Sequence, residues 1–279
     1  MTKKQLQKLE QLLDHVGDIA LRRRARKMII DLDPKPGDKI LDVGCGDGFY
    51  LFLLSNLGIK LKLFGTDFDP LALKSAKVNL AGKKIPLKQA DLMKKLSFKD
   101  NFFDKVVMSE VAEHLPNDVK GIREVARVLK KNGILCLTVP NANYPFLWDP
   151  VNKLMELFTR DHIKDGFWAG LWFNHIRLYT VDQMQKVVEK AKLKVEKAES
   201  LTFWCLPFNH HIVNLAARIV YGKGTSEKIV KAISKYHVKQ PLSPMVKYGF
   251  GFFRLVDSLN DLYQPKNSGA GVFVKAIKI

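Results

Sequence analysis

Three acids in the first half of the chain each close a short apolar run: Asp67 ends LKLFGTD, Asp91 ends IPLKQAD and Glu110 ends DKVVMSE. A carboxylate so placed can take both hydroxyls of a ribose, because a vicinal diol offers two donors to two acceptor oxygens. A second can accept from the amino group of an adenine. Ahead of them stands KILDVGCGDG, residues 39–48, where Gly44, Gly46 and Gly48 alternate before the apolar run FYLFLLSNLG. Glycine has no Cβ and tolerates φ > 0, so a ligand can lie against the backbone there. The helix that follows would open with unpaired N–H groups. Singly, each acid is better explained as a helix cap or a solvated turn residue. Together with the glycine turn they outline a site shaped for adenosine.

Such a site needs strands to aim the acids and helices to space the strands. The pattern supplies both. Strands are predicted at about 39–44, at LKLFGTD, IPLKQAD and DKVVMSE, and at ILCLTVP (134–140). DPLALKSAKVNLAG reads as a helix with Pro70 in its first turn. IREVARVLKKNG reads as another, with Gly133 as its C-terminal cap. Strands alternating with helices over short links predict a parallel, doubly wound sheet, and ligands in such sheets sit outside the carboxyl ends of the strands. Upstream, residues 2–30 read as one amphipathic helix, with Leu6, Leu9, Leu13, Val16 and Ala20 on its apolar stripe. Its RRRARK run (Arg22–Lys27) is read as a solvated basic flank, a lid or lipid-contacting helix being the alternative.

Composition narrows the class. A chain of 279 residues with 47% hydrophobic and 27% charged residues suits one globular domain with insertions, or one domain with a small cap. The three cysteines, Cys45, Cys136 and Cys205, are widely spaced, which disfavours a disulfide framework or a zinc site and favours a reducing compartment. MTKKQLQKLEQLL lacks the apolar run of a signal peptide. No stretch reaches the roughly 18 apolar residues of a spanning helix. A cytoplasmic setting, with contact to a membrane surface allowed, is the expectation. The formal net charge of +18 predicts attraction to phosphate, whether lipid, nucleic acid or metabolite.

At this point the sequence resembles the class I S-adenosylmethionine-dependent methyltransferases, in particular their quinone and small-molecule branch. ILDVGCGDG resembles the family's first motif and GTDFDPLAL the second; ADLMKKLSFKDNFFDKVVMSEVAEHL resembles the third and fourth, and REVARVLKKNGILCLTVPN the fifth. The resemblance implies a doubly wound, Rossmann-like α/β fold whose seven-stranded sheet is mostly parallel with an antiparallel last strand, plus helical insertions. It implies that Gly44, Gly46 and Gly48 face the methionine part of S-adenosyl-L-methionine, that Asp67 holds the ribose, that Asp91 with Leu92 frames the adenine, and that Asp42 orients the turn or the amino group. Cys45, Phe68 and Ser109 complete the expected cofactor-binding set. HIRLYTVDQMQKVVEKAKLKVEKAES resembles the last helix and sixth strand, and GVFVKAIKI the seventh. The chain then divides into an N-terminal helical segment 1–36, a cofactor-binding core 37–142, an insertion 143–174, the last helix and strand six at 175–201, a basic and aromatic insertion 202–268, and strand seven at 269–279. A dinucleotide-binding unit is the rival. The spacing here is GxGxG, not GxGxxG, and Asp42 and Asp47 would repel a pyrophosphate while suiting a sulfonium with an ammonium.

The same reading locates the chemistry. Methyl transfer needs an aligned nucleophile and often a base. No NPPY run follows strand four; SEVAEHLP stands there, which disfavours the nucleic-acid amino-methyltransferases and favours an oxygen acceptor over nitrogen or carbon. Glu110, Glu113 and His114 cluster at the mouth of strand four, and His175 precedes the last helix. In some relatives, RNA 3′-end 2′-O-methyltransferases and quinone-biosynthesis O-methyltransferases among them, a comparable cluster binds a divalent ion. By ligand hardness the four residues suit Mn²⁺ or Zn²⁺ better than Mg²⁺. The reading ranked first has His114 acting alone as base without a metal; Glu110 and His175 complete the expected catalytic set. The insertions are rich in rings, in clusters such as GFWAGLWF and FGFF, with SEKIVKAISKY expected to face phosphates. Half or more of the rings suit a cap's core; the remainder favour an anionic membrane surface over nucleic acid. The expected function is methyl transfer from S-adenosylmethionine to an oxygen of a small-molecule or lipid-like substrate. An RNA ribose 2′-O-methyltransferase and a non-catalytic binding protein of the same fold stay open.

Overall fold

Ile40 and Leu41 are chain neighbours, both wholly buried, yet they belong to two separate apolar clusters. Successive side chains of a strand point to opposite faces, so a strand that buries both must be covered on both sides. The same split recurs at Val106 and Val107, at Leu135 and Cys136, and at Phe273 and Val274. The computed structural model of the chain describes residues 1–172, 174–205, 208, 234–236 and 244–279.

The strands are β1 (Lys39–Val43), β2 (Lys62–Asp67), β3 (Leu87–Gln89), β4 (Phe103–Ser109), β5 (Leu129–Pro140), β6 (Leu193–Leu201) and β7 (Gly271–Lys278). They form one seven-stranded sheet in the order β3-β2-β1-β4-β5-β7-β6. The first five are parallel. β7 slots in antiparallel between β5 and β6. This is the expected doubly wound α/β sheet with its reversed last strand.

Helices α1 (Lys3–Leu13), α2 (Ile19–Leu32), α3 (Phe49–Asn56) and α4 (Pro70–Asn79) supply the core on one face; α5 (Asp118–Val128) and α7 (Val181–Lys190) supply it on the other. Helix α3 is apolar all round, Phe49 to Leu54 being buried without a break, as befits a helix enclosed on every side. Helix α6 (Pro150–Thr159) follows β5, and α8 (Pro244–Leu262) precedes β7.

Three sequence expectations are corrected. Residues 2–30 form two helices, not one. Thr2 and Gln5 make a capping box for α1, and Asp18 caps α2 through the amides of Ala20 and Leu21. Between them a Cβ on Gly17 would stand 2.6 Å from the Phe250 ring. The apolar stripe ran on through the break because both helices bury into the same cluster. Gly133 does not cap a helix: α5 stops at Val128, and Leu129 already pairs with Phe103 of β4. Lys130–Gly133 is then a bulge in β5, with Asn132 left-handed at φ 61°.

The basic run is also not a solvated flank. Arg22 and Arg23 pair with Asp257 of α8, Arg24 with Glu110, Arg26 with Glu10, and Lys27 with Asp31 and Glu199. Helix α2 is thereby tied across the sheet and to α8. Among the described residues no helix is long and apolar enough to cross a membrane.

Candidate functional site

Gly44 follows the end of β1 at φ 66°, and a Cβ there would stand 2.3 Å from Val111. Gly46, at φ 53°, would meet nothing within 4 Å, because it faces open space. The turn is fixed from below: Cys45 N donates to Thr66 O at 2.9 Å, and Gly46 N to Asp67 Oδ2 at 2.7 Å. Asp67, at the end of β2, also receives the Asp69 amide at 2.9 Å, so two backbone donors lock its carboxylate in place. Asp91 lies two residues beyond β3 and takes the Met93 amide at 2.8 Å.

These groups line a cavity of about 730 Å³ at the carboxyl ends of the strands, within the usual range of a small-molecule site. Of the expected cofactor residues, Gly44, Cys45, Gly46, Asp67, Phe68, Asp91, Leu92 and Ser109 line it. Phe68 is 71% exposed, a ring face open to stacking. Gly48 and Asp42 do not line it. Gly48 is the N-cap of α3 at φ 87°.

Asp42 is buried, 1% exposed, and neither carboxylate oxygen has a hydrogen-bond partner among the described residues. Burial, then the charges of Asp67 and Asp47, raise its pKa well above the ordinary carboxylate range. An orphaned acid beneath a bare turn suits a ligand that brings its own cation, as the ammonium of S-adenosylmethionine would. The residues present therefore fit that cofactor.

The far wall is the mouth of β4. Ser109 Oγ lies 3.1 Å from Tyr50 Oη and 2.9 Å from Thr138 Oγ1. Next, Glu110 takes a left-handed backbone at φ 56° and sends Oε2 to Arg24, 2.7 Å away. Burial works to lower the pKa of that guanidinium, but the charge of Glu110, with smaller help from Tyr50, outweighs it and leaves the pKa raised.

Glu113, His114 and His175 converge one turn further on. Glu113 is wholly buried with both oxygens unpartnered among the described residues. Burial, and next the charge of Glu110, push its pKa well up. His114 Nδ1 stands 3.0 Å from the Asn174 carbonyl and His175 Nδ1 2.5 Å from that of Leu171. A neutral ring facing a carbonyl through Nδ1 carries its hydrogen there, which turns the Nε2 lone pair outward. Both Nε2 atoms lie 3.9 Å from Glu113 Oε1. One donor atom from each of the three residues falls within 4.8 Å of the others. Of the four residues expected to gather, Glu110 is the one the structure holds apart, on Arg24.

Among the cavity residues that were not anticipated, two are cations. Arg24 and Lys235 reach the site from α2 and from the insertion after β6. Arg24 carried no signal, being one arginine among several in RRRARK. Lys235 belongs to SEKIVKAISKY, most of which lies outside the described residues; the part described sits on the glycine turn, with Lys235 Nζ 2.9 Å from Asp47 Oδ2. Of the insertion rings, Tyr144 and Trp148 are buried, while Phe146, Phe158, Trp168, Tyr248 and Phe252 are exposed. All three cysteines are free and buried.

A methyltransferase domain matches residues 41–137, the stretch from β1 into β5. Over 156 residues the chain is 32% identical to a demethylmenaquinone methyltransferase of Desulfitobacterium hafniense, covering 52% of this chain and 58% of that one. The chain thus spans little more than half the length of that curated relative. Among solved structures, the (4+2)-cyclase SpnF aligns with a TM-score of 0.57 at 18% identity, over 91% of this chain and 80% of that one. Haemonchus contortus phosphoethanolamine N-methyltransferase 2, in complex with S-adenosyl-L-methionine, aligns with a TM-score of 0.55 at 17% identity, over 91% of this chain and 52% of that one. At such identities the two structures speak of fold alone, and one of them is a cyclase. What the fold leaves open the matched domain narrows: residues 41–137 match a methyltransferase domain, and the curated relative that shares this stretch is a methyltransferase.

Proposed function

We propose that the chain transfers a methyl group from S-adenosylmethionine to an oxygen of a small-molecule or lipid-type acceptor, a quinol being the favoured class. The observation that carries this reading is one continuous cavity, lined at one end by Asp67 and Asp91 and at the other by Glu110 and His114. The relative named for demethylmenaquinone supports a quinone-type acceptor.

When bound, the cofactor supplies an electrophilic methyl on sulfur. Asp67 would hold its ribose, and the glycine turn its amino-acid end, with the buried charge of Asp42 beneath the turn favouring the ammonium. Without an ion, His114 Nε2 would take the proton of the accepting hydroxyl, its tautomer being set by the Asn174 carbonyl; the alternative turns the same nitrogen to a metal. Glu113, His114 and His175 would hold a divalent ion, the orphaned Glu113 oxygens fitting such a cation. An ion there would lower the pKa of a bound hydroxyl. Peripheral contact with an anionic membrane belongs to the same proposal. It is supported by the apolar side chains that α6 and α8 leave exposed, Leu157, Phe158, Tyr248, Leu255 and Leu262.

The test is radiolabelled transfer from S-adenosylmethionine to quinol, lipid and RNA extracts. Label in an organic-extractable product with a new methyl ether is the expected result. Label in RNA would move the assignment to a ribose 2′-O acceptor. Absence of binding to S-adenosylhomocysteine would end the methyltransferase reading.

A further inference from the structure

Ser234–Tyr236, a described stretch of the insertion between β6 and β7, lies on the glycine turn. Tyr236 Oη donates to Asp47 O at 3.1 Å across 189 residues of sequence. Its ring packs edge-on against Phe52 and Phe49, centroids 5.2 and 6.3 Å apart. Lys235 Nζ stands 2.9 Å from Asp47 Oδ2 and 4.7 Å from the centre of the Phe49 ring, and it lines the cavity. Ser234 is buried at 7% exposure and accepts the Tyr236 amide, which fixes how the stretch arrives.

We propose that Lys235 is the counter-charge for the α-carboxylate of the cofactor, delivered to the site by this chain's insertion. The inference rests on the methyltransferase reading. The amino-acid end of S-adenosylmethionine carries both an ammonium and a carboxylate. Asp42 answers the first, and a cation must answer the second.

Among the described residues two permanent cations line the cavity, Arg24 and Lys235. Arg24 is committed. Its guanidinium holds the Glu110 carboxylate at 2.7 Å, and its side chain is only 21% exposed, so releasing Glu110 would leave a sheltered charge unpaired. Lys235 is not bound so firmly. Its partner Asp47 is 42% exposed, and pairs of that kind contribute little. The ammonium can therefore share a second carboxylate. It also stands over Phe49, the first residue of α3, whose N-cap Gly48 offers no side-chain cap. An uncapped helix start adds a field that favours an anion in the same place. Tyr236 clasps the turn and holds the lysine to this position.

The test compares two ligands by calorimetry on the full chain. S-adenosylhomocysteine has the amino-acid end; 5′-methylthioadenosine keeps the adenosine and thioether and lacks it. Lys235→Met is expected to weaken S-adenosylhomocysteine about tenfold, the loss of one charge-assisted hydrogen bond. It should leave 5′-methylthioadenosine unchanged, which also shows the variant folded. Asp47→Asn removes a like charge and frees the lysine, and should tighten S-adenosylhomocysteine alone. Tyr236→Phe should weaken it alone, by less than Lys235→Met. Equal losses of both ligands in Lys235→Met, or no loss of either, would overturn the assignment while leaving the fold's cofactor in place. If the unsubstituted chain binds neither ligand, the methyltransferase reading fails instead.

Discussion

Asp42 and Glu113 invite comparison. Each is wholly buried and lacks a hydrogen-bond partner among the described residues. In each, burial first and a neighbouring acid second lift the pKa. Their surroundings differ. Around Asp42 the neighbours that set its charge are acids, Asp67 and Asp47, under a turn of bare backbone. Around Glu113 two imidazoles present Nε2, each ring steered by a backbone carbonyl. The first acid can be satisfied by a cation that belongs to the cofactor. The second is one member of a set that can grip an ion of its own. Two carboxylates of similar burial thus take different work from their neighbours.

Breaking the cofactor end should have the largest effect. Asp67→Ala removes the anchor of the Gly46 amide and, by our proposal, the acceptor for both ribose hydroxyls. About a hundredfold weaker S-adenosylhomocysteine binding is expected, from two bonds to a charged group at about 1.5–3 kcal/mol each, partly replaced by water. A smaller loss than that of Asp42→Asn would place the binding energy elsewhere. Next comes the mouth of β4. Glu113→Gln should cut bound divalent metal and the transfer rate by about ten- to a hundredfold. EDTA should lower the unsubstituted rate likewise, with S-adenosylhomocysteine affinity unmoved. Full activity with no metal detected would return the cluster to a base without an ion.

Asp42→Asn sharpens the contrast. It should weaken S-adenosylhomocysteine about tenfold by deleting the charge proposed to favour the ammonium. The free protein should stay at least as stable at neutral pH, since a neutral amide has no charge to desolvate. The smallest signal is the pH dependence of that stability. The folded pKa of Asp42 lies above its ordinary value of 3.8. The folded state therefore keeps a proton that the unfolded chain gives up. The contribution is complete below about pH 4 and is lost as pH rises through the folded value, at no more than about 1.4 kcal/mol per pH unit. Thermal melts of the unliganded chain should show this decline, and Asp42→Asn should flatten it. An identical slope in the variant would mean Asp42 is ionised in the free protein.

Much of the sheet was legible because β1, β4 and β5 are buried on both faces and the strands are bounded by glycine, proline or acid. The acids at the strand ends could be read for the same reason: a doubly wound sheet brings its carboxyl ends to one side whatever the helices contain. Arg24 could not be read. Arg22, Arg23 and Arg24 differ in helical phase alone, and the location of Asp257 and Glu110 decides which arginine turns to α8 and which to the cavity. Lys235 was read for its charge but not its address, since a contact across 188 residues leaves no local pattern. The break at Gly17 was masked by an apolar stripe that two helices share. Glu110 was seen as an acid at a strand end, but its left-handed backbone and its arginine partner were not.

Leu201, the last residue of β6, lies opposite Gly271, the first of β7, and Ala270 N donates to Thr202 O at 2.8 Å. Everything between them leaves and re-enters the sheet through one zipped gate. Such a cassette can be exchanged at the two strand ends, provided the replacement keeps a partner for Arg22 and Arg23, which Asp257 now supplies. The clasp on Asp47 attaches a second condition: a replacement that omits Lys235 and Tyr236 also removes two holds on the glycine turn, and by our proposal it would loosen the grip on the methyl source.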